Sequence, residues 1–309
     1  MFTQVISKIF IMILLVSAGY VLDKKRFVSR EALQSLSRIV IYVMLPALIF
    51  SSIITQFDRG TILSGWILPF LGAMTFLIGS LVGWLNVLIL REKKGVRRNT
   101  VIYLLTINNY GFVSIPLVYM LFGEGAVALL FLHNLGCEIV FWTLGIWLLK
   151  GDGFSVKSFR SLANPPFTVL VASILIVLFG VKYLIPGFVV EACDILGKGL
   201  IPLIMLVIGS ILAEIRFNDG GLFDKTLIFV MVCRLLIVPL IVVGILFIIP
   251  LPVLYRNIAV IVAVMPSASS SPLFTKQFGG DTPLAAKAVF FTTIFSVVTV
   301  PVFLAIFLR

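Results

Sequence analysis

Val262-Ala263-Val264-Met265-Pro266-Ser267-Ala268-Ser269-Ser270-Ser271-Pro272 lies at the middle of a long apolar run, 255–278. Pro266 removes a backbone donor and collides with the preceding helical turn. The serines that follow supply caps for a helix that starts again. A similar interruption occurs half a chain earlier, where Asn108-Asn109-Tyr110-Gly111 breaks the run 99–122 and Pro116 follows. Two adjacent amides and a glycine are poor helix formers and costly in hydrocarbon. The flanks also match. Arg98-Asn99 opens one run and Arg256-Asn257 the other, at an offset of 158. Ser114-x-Pro116-Leu117-x4-Phe122-Gly123 repeats as Ser270-x-Pro272-Leu273-x4-Phe278-Gly279 at an offset of 156, which also relates Thr143 to Thr299. Two residues are therefore missing from the second copy between the paired openings and the paired prolines.

Around these stretches the chain is apolar throughout. Of its 309 residues 61% are hydrophobic and only 12% charged, and the mean hydropathy is +1.19. A soluble domain carries roughly twice that charged fraction. This excludes a soluble enzyme, a nucleic-acid binder and a secreted disulfide scaffold. Apolar runs near the length of a bilayer crossing fall at 2–22, 36–56, 62–90, 99–122, 125–149, 165–184, 192–214, 225–249, 255–278 and 282–308. The expected fold is thus an all-α polytopic membrane protein of ten transmembrane helices. Cys137, Cys193 and Cys233 stand singly in apolar segments, as small core residues. No metal site, cofactor, GxxxxGK[ST] loop, GxSxG or HExxH motif is expected or visible, so neither an ATP-driven pump nor an enzyme is indicated.

The charge of +11 is arranged by side. Loops that would share one face of the membrane hold 15 basic residues: Lys24, Lys25, Arg26, Arg30, Arg38, Arg91, Lys93, Lys94, Arg97, Arg98, Lys150, Lys157, Arg160, Arg216 and Lys225. The other face holds 6: Lys8, Arg59, Lys182, Lys198, Arg256 and Arg309. The positive-inside rule then places both termini outside the cytoplasm, in a plasma (inner) membrane. Val16-Ser17-Ala18 resembles a cleavage site, but Lys24-Lys25-Arg26 directly after the run favours a retained helix.

The chain divides into a first five-helix repeat over 1–150, a cytoplasmic linker over 151–164 with its Asn164-Pro165-Pro166 stop, and a second repeat over 165–309. Five spans per copy is odd, so the second copy enters the membrane from the opposite side. The result is an inverted-topology repeat, a layout of secondary transporters. Either interruption alone also fits a kinked helix whose polar side chains bond nearby carbonyls. Their matched depth favours a paired break and a binding site, since irregular backbone at that depth needs cover from protein or water. Two half-helix N-termini would face the centre, and their free N–H groups favour an anion. Candidate ligand-binding residues are Asn108, Asn109, Gly111, Pro266, Ser267, Ser269 and Ser270.

Three titratable groups lie inside spans. Glu138 sits near the middle of span five, with Asn134 one turn before it on the same face. It fits proton or ion coupling, a pair with Arg234, or a backbone cap. His133 fits a packed residue or a proton relay. Arg234, inside span eight, fits neutralisation of the site or of Glu138. Ser51, Ser52 and Thr55 in span two fit either contact with a ligand or helix packing through backbone bonds.

At the interrupted runs the sequence resembles the auxin efflux carrier family, which includes plant auxin carriers and bacterial organic-acid permeases. The resemblance is carried by Leu45-Pro46-Ala47-Leu48-Ile49-Phe50, by Asn109 through Ser114-Ile115-Pro116-Leu117 and Phe122-Gly123, by Trp142-Thr143, and by Met265-Pro266-Ser267 through Lys276. It implies spans four and nine crossing near mid-membrane. It also implies a scaffold of spans one, two, six and seven, often dimeric, beside a mobile transport unit of spans three to five and eight to ten. Pro46, in the matching motif, and Ser51, five residues on, complete the candidate substrate-binding residues. Asn109 matches the asparagine that binds the substrate carboxylate in plant members. Asn108 replaces the first crossover proline, and Ser267 stands where plant members have glutamine. These departures favour a smaller or more polar acid than auxin.

The expected activity is secondary active or potential-driven transport of a small organic anion by elevator-type alternating access, with H+ or Na+ as a possible coupling ion. The alternatives are a sodium-coupled symporter of the bile-acid type, an anion channel, and a membrane sensor or scaffold that does not turn over. The expected partners are the anion, the bilayer and a second copy of the chain; no nucleic acid is expected.

Overall fold

The computed structural model describes residues 2–91, 93–151, 164–214 and 224–308. The expected linker, apart from Gly151 and Asn164, lies outside the described residues, as do Arg216 and Arg309. The described residues are helical almost throughout, and their one β-type pairing is an isolated bridge between Asn108 and Ser267.

The helices follow in the order α1 (Phe2–Lys24), α2 (Glu31–Gln56), α3 (Arg59–Ile89), α4 (Val96–Thr106), α5 (Ser114–Phe122), α6 (Glu124–Lys150), α7 (Pro165–Leu178), α8 (Gly187–Ala213), α9 (Lys225–Ile248), α10 (Val253–Ala263), α11 (Ser271–Phe278) and α12 (Thr282–Phe307). Among the described residues six of these are long and apolar enough to cross a membrane: α2, α3, α6, α8, α9 and α12. Four expected spans fall outside that count: 2–22 (α1), 165–184, where α7 has 14 residues, and the two interrupted runs. Each interrupted run is split into short pieces, α4 with α5 and α10 with α11, of 11, 9, 11 and 8 residues.

Local chemistry explains several boundaries. The α2 helix starts several residues before the apolar run at 36, because the Ser29 hydroxyl accepts from the Ala32 N–H at 3.2 Å and caps a polar first segment. Asp58 caps α3 in the same way, accepting from the Thr61 N–H at 2.6 Å. Pro46 and Pro239 cannot donate to the turn before them, and a widened π-helical turn precedes each, at Val40–Met44 and Cys233–Ile237.

Two groups of helices pack most closely. The α1 helix runs along α8, and α2 lies against α7 and the first half of α8. In the other group α3 packs on α4 and α6, α9 on α10 and α12, and α11 on α12. Small residues set these approaches. A Cβ on Gly209 would stand 2.0 Å from the Val16 carbonyl oxygen, and one on Gly19 2.1 Å from that of Leu206, so α1 and α8 touch backbone to backbone. Gly136 and Gly72 do the same for α6 and α3, with the Pro69 and His133 carbonyls at 1.8 and 2.1 Å. In lipid, where apolar surface gives no drive between helices, such close contact is a main source of association.

The core is largely apolar, and large apolar side chains also cover the outside. Leu81, Leu88, Ile248, Val298 and Ile306 point outward, while Asn108, Asn109, His133, Arg234 and Ser267 are buried. Arg97 bonds Asp224 and Asp281. Lys198, within α8, bonds Glu124 and Asp194 at 3.5 and 2.6 Å, and Lys182 donates to the Phe57 carbonyl at 3.1 Å.

Gly136→Val should lower the unfolding temperature in detergent by several degrees or prevent purification, because overpacking costs about 1–3 kcal/mol or more. Gly244→Ala, at a glycine with nothing within 4 Å of the added Cβ, should leave it unchanged. Equal melting of the two variants would refute the close-packed α3–α6 contact.

Candidate functional site

The two interruptions meet. The α4 helix stops at Thr106, and Ile107 turns to an extended conformation. The α10 helix stops at Ala263. Asn108 and Ser267 then lie antiparallel, and the pairing is flanked by two backbone bonds: Asn109 N–H donates to the Pro266 carbonyl at 2.8 Å, and Ala268 N–H to that of Ile107 at 3.4 Å. Each break thus satisfies part of the other's backbone, as buried irregular chain requires.

Side chains complete the crossing. Asn108 is fully buried and its Nδ2 donates to the Val262 carbonyl at 2.6 Å. Ser267, equally buried, donates to the Leu104 carbonyl at 3.4 Å, and its N–H donates to Thr292 Oγ1 at 3.3 Å. Asn109 joins the two restarting segments. Its Nδ2 donates to Ser269 Oγ at 2.7 Å, and its Oδ1 accepts from the Val113 N–H at 3.3 Å, just before α5. An amide nitrogen carries two hydrogens, so one Nδ2 donor remains beyond the Ser269 bond. Gly111 contributes its carbonyl to the Ile115 N–H at 3.0 Å. The Ser270 carbonyl accepts from Leu273 and Phe274 at 3.0 and 3.1 Å, which starts α11.

Arg234 is the largest side chain with no exposure, and it stands behind the crossing. Its guanidinium donates to the Leu105 carbonyl at 3.0 Å and to the Ala263 carbonyl at 2.7 Å, the last turns of α4 and α10. It does not pair with Glu138. The Glu138 carboxylate accepts instead from Tyr110 OH and Trp142 Nε1, both at 2.8 Å. Asn134, on the same face of α6, donates to the Tyr110 carbonyl at 3.0 Å. One α6 face therefore holds the residue after Asn109 by both backbone and side chain, and the Phe76 ring packs edge-on to the Tyr110 ring at 5.4 Å.

The remaining candidates make no direct bond to the crossing among the described residues. His133 is buried, with Nδ1 at 3.4 Å from Asn134 Oδ1 and 3.8 Å from Cys137 Sγ on its own helix. Ser51 donates to the Leu48 carbonyl at 3.3 Å and Thr55 to that of Ser51 at 2.7 Å, bonds within α2. Pro46 is buried in the same helix. Among the described residues no hydrogen bond links His133, Ser51 or Pro46 directly to the crossing. Tyr110 and Thr292 were not singled out from sequence. Tyr110 abuts Asn109 and was open to the same reading, whereas Thr292 gives no signal inside the apolar run of α12.

A cavity of about 400 Å³ opens between α1, α5, α8 and α12, lined almost wholly by apolar side chains such as Met12, Val16, Val113, Ile208, Phe290 and Val297. Its link to the crossing is Val113, whose N–H is held by Asn109. Asn109 itself is not in its wall.

Known proteins share this sequence pattern from end to end. The chain matches the membrane transport protein family over residues 4–304, and it belongs to that family, the auxin efflux carrier group that its interrupted runs resemble. It is 28% identical over 305 residues to an uncharacterized transporter of Methanothermobacter thermautotrophicus, covering 97% of this chain and 96% of that one. It is 26% identical over 304 residues to an uncharacterized transporter of Methanocaldococcus jannaschii, covering 94% and 95%. A shorter stretch of 77 residues is 36% identical to the PIN-LIKES 5 protein of Arabidopsis thaliana, covering 25% of this chain and 19% of that protein.

A hydrogen bond contributes about 0.5–1.5 kcal/mol, and about 1.5–3 kcal/mol when one partner is charged. A double-mutant cycle of Tyr110→Phe and Glu138→Ala, read by thermal unfolding in detergent, should therefore show coupling within that range. Additive effects of the two substitutions would mean that Glu138 does not hold Tyr110.

Proposed function

We propose that this member of the membrane transport protein family carries a small organic anion by alternating access, and that the anion's carboxylate binds where the two broken helices cross. The single observation that carries the reading is the pairing of Asn108 with Ser267 at a buried crossing, directly before two helix starts. The starts of α5 and α11 bring partial positive charge to this place, while the Ile115, Leu117, Ser271, Leu273 and Phe274 N–H groups are already bonded within the chain. The second Nδ2 hydrogen of Asn109 adds a directed donor without a permanent charge, which suits a carrier that must also release its cargo.

The chain crosses the membrane ten times in this reading, with α4–α5 and α10–α11 each counting as one interrupted crossing, and the second five crossings repeat the first in inverted orientation. Helices α1, α2, α7 and α8 form a scaffold, the part through which two copies associate as a homodimer. The remaining helices move against it as an elevator. The packing supports this division in that an apolar cavity lies where α1 and α8 meet α5 and α12. Glu138 is the group placed to couple a proton to the motion, since a change in its charge alters the bond that holds Tyr110 beside Asn109. The protein functions in the plasma (inner) membrane with both termini outside the cytoplasm.

Two experiments test these statements. In proteoliposomes, a flux screen of mono- and dicarboxylates should identify a saturable substrate. Asn109→Ala should weaken its binding roughly ten- to hundredfold. Asn109→Asp, which keeps the oxygen that caps Val113 but places a negative charge at the site, should fold normally and bind still more weakly. Wild-type affinity in Asn109→Asp would place the carboxylate elsewhere.

For orientation, single cysteines at Lys24, Arg91 or Lys150 would be introduced in a background lacking Cys137, Cys193 and Cys233. They should resist an impermeant thiol reagent in intact cells, whereas one at Arg59 or Lys182 should react. Labelling of the first set from outside would reverse the topology.

A further inference from the structure

We infer that Arg234 is a tethered cation that fills the place between the two stopping helices where a carrier of this layout would hold a free cation, so that the crossing binds no sodium ion. The inference rests on the proposed reading of the crossing as the transport site and names the ion that does not take part.

A helix that stops inside a membrane ends in carbonyls that lack intrahelical partners and carry partial negative charge. Where two such ends face each other, they form a cation site, and interrupted-helix carriers use half-helix C-termini and unwound carbonyls to hold Na+. Here the two ends are α4 and α10, and a carbonyl of each is already occupied by Arg234. The Arg234 guanidinium reaches Leu105 O at 3.0 Å and Ala263 O at 2.7 Å. These carbonyls are 158 positions apart, the offset that relates Arg98-Asn99 to Arg256-Asn257. One side chain thus bonds corresponding points of the two copies. The planar fork of a guanidinium spans two carbonyls, which the point charge of a lysine does less well.

The charge of Arg234 is not cancelled nearby. Among the described residues no carboxylate forms an ion pair with it, and the nearest residue in sequence with a polar partner across the bundle, Cys233, receives a neutral bond from Asn86 Nδ2 at 3.2 Å. Glu138 is engaged by Tyr110 and Trp142 instead. A crossing of four helix ends would otherwise be balanced, with two negative C-termini against two positive N-termini. Arg234 neutralises the negative pair and leaves the N-termini of α5 and α11 uncompensated. That arrangement attracts a carboxylate and repels a free cation.

The test uses the purified full-length chain in detergent and needs no transport substrate, so its failure is separable from failure of the transport reading. Replacing NaCl by choline chloride at constant ionic strength should leave wild-type unfolding temperature unchanged. Arg234→Gln and Arg234→Ala should each lower it by roughly 5–10 °C, as loss of a buried charged partner implies. Both variants should recover part of that shift with millimolar guanidinium or with sodium, and none with choline. Recovery by a small cation separates an electrostatic role from packing alone. Saturable stabilisation of wild type by sodium would overturn the inference. So would wild-type melting of both variants, or a loss of stability that no cation restores. If Arg234→Ala gives no protein, Arg234→Gln and the wild-type sodium titration decide the matter by the same criteria.

Discussion

A helix that ends in the middle of a membrane protein leaves carbonyls at one break and amides at the next start, and each costs several kcal/mol if nothing meets it. The fold is organised around meeting that requirement twice at one place. The extended residues of each break pair with the other. Arg234 covers a carbonyl on each stopping helix, and Asn108 and Ser267 reach across to Val262 and Leu104. Neither interruption is satisfied alone, so the crossing forms as a joint element of both halves of the chain.

Packing brings the supporting groups within reach of that joint. Gly79 and Gly83 let α3 lie directly on α4, where added Cβ atoms would stand 2.2 Å from the Leu105 carbonyl oxygen and 2.9 Å from Ile102 Cα. Phe76, on the same helix, then meets Tyr110. Gly136 lets α6 approach α3, and the face of α6 that carries Asn134 and Glu138 grips Tyr110. A shift of α6 or α3 would therefore be felt at Asn109, one residue away. This is the physical basis on which the proposed coupling between Glu138 and the transport site rests.

Much of this plan was legible in the residues. Asn108-Asn109 and Pro266-Ser267 announce breaks because amides, glycine and proline resist helix formation, and their matched surroundings suggested that they meet. Other parts were hidden for definite reasons. The partners of Arg234 are backbone carbonyls 129 and 29 residues away, and a carbonyl has no signature in sequence. Asn134 and Glu138 were readable as one face, but not that both bond Tyr110. The early start of α2 was missed because its first residues, 31–38, mix polar with apolar side chains and are held by a cap rather than by hydrophobicity. The apolar cavity arises from residues of four helices, none of which differs from ordinary core.

The archaeal relatives that span the whole length are transporters with no stated substrate, so the nature of the cargo rests on the chemistry of the crossing. Two places compete for it: the Asn109 donor beside the starts of α5 and α11, or the apolar cavity beside α1 and α12. The most direct measurement is an anomalous difference map from crystals of the protein bound to a bromine-substituted carboxylate that it transports. The account predicts a peak within contact distance of the crossing, with the carboxylate against Asn109 and Ser269. A peak confined to the cavity, with the carboxylate facing away from Asn109, would contradict it.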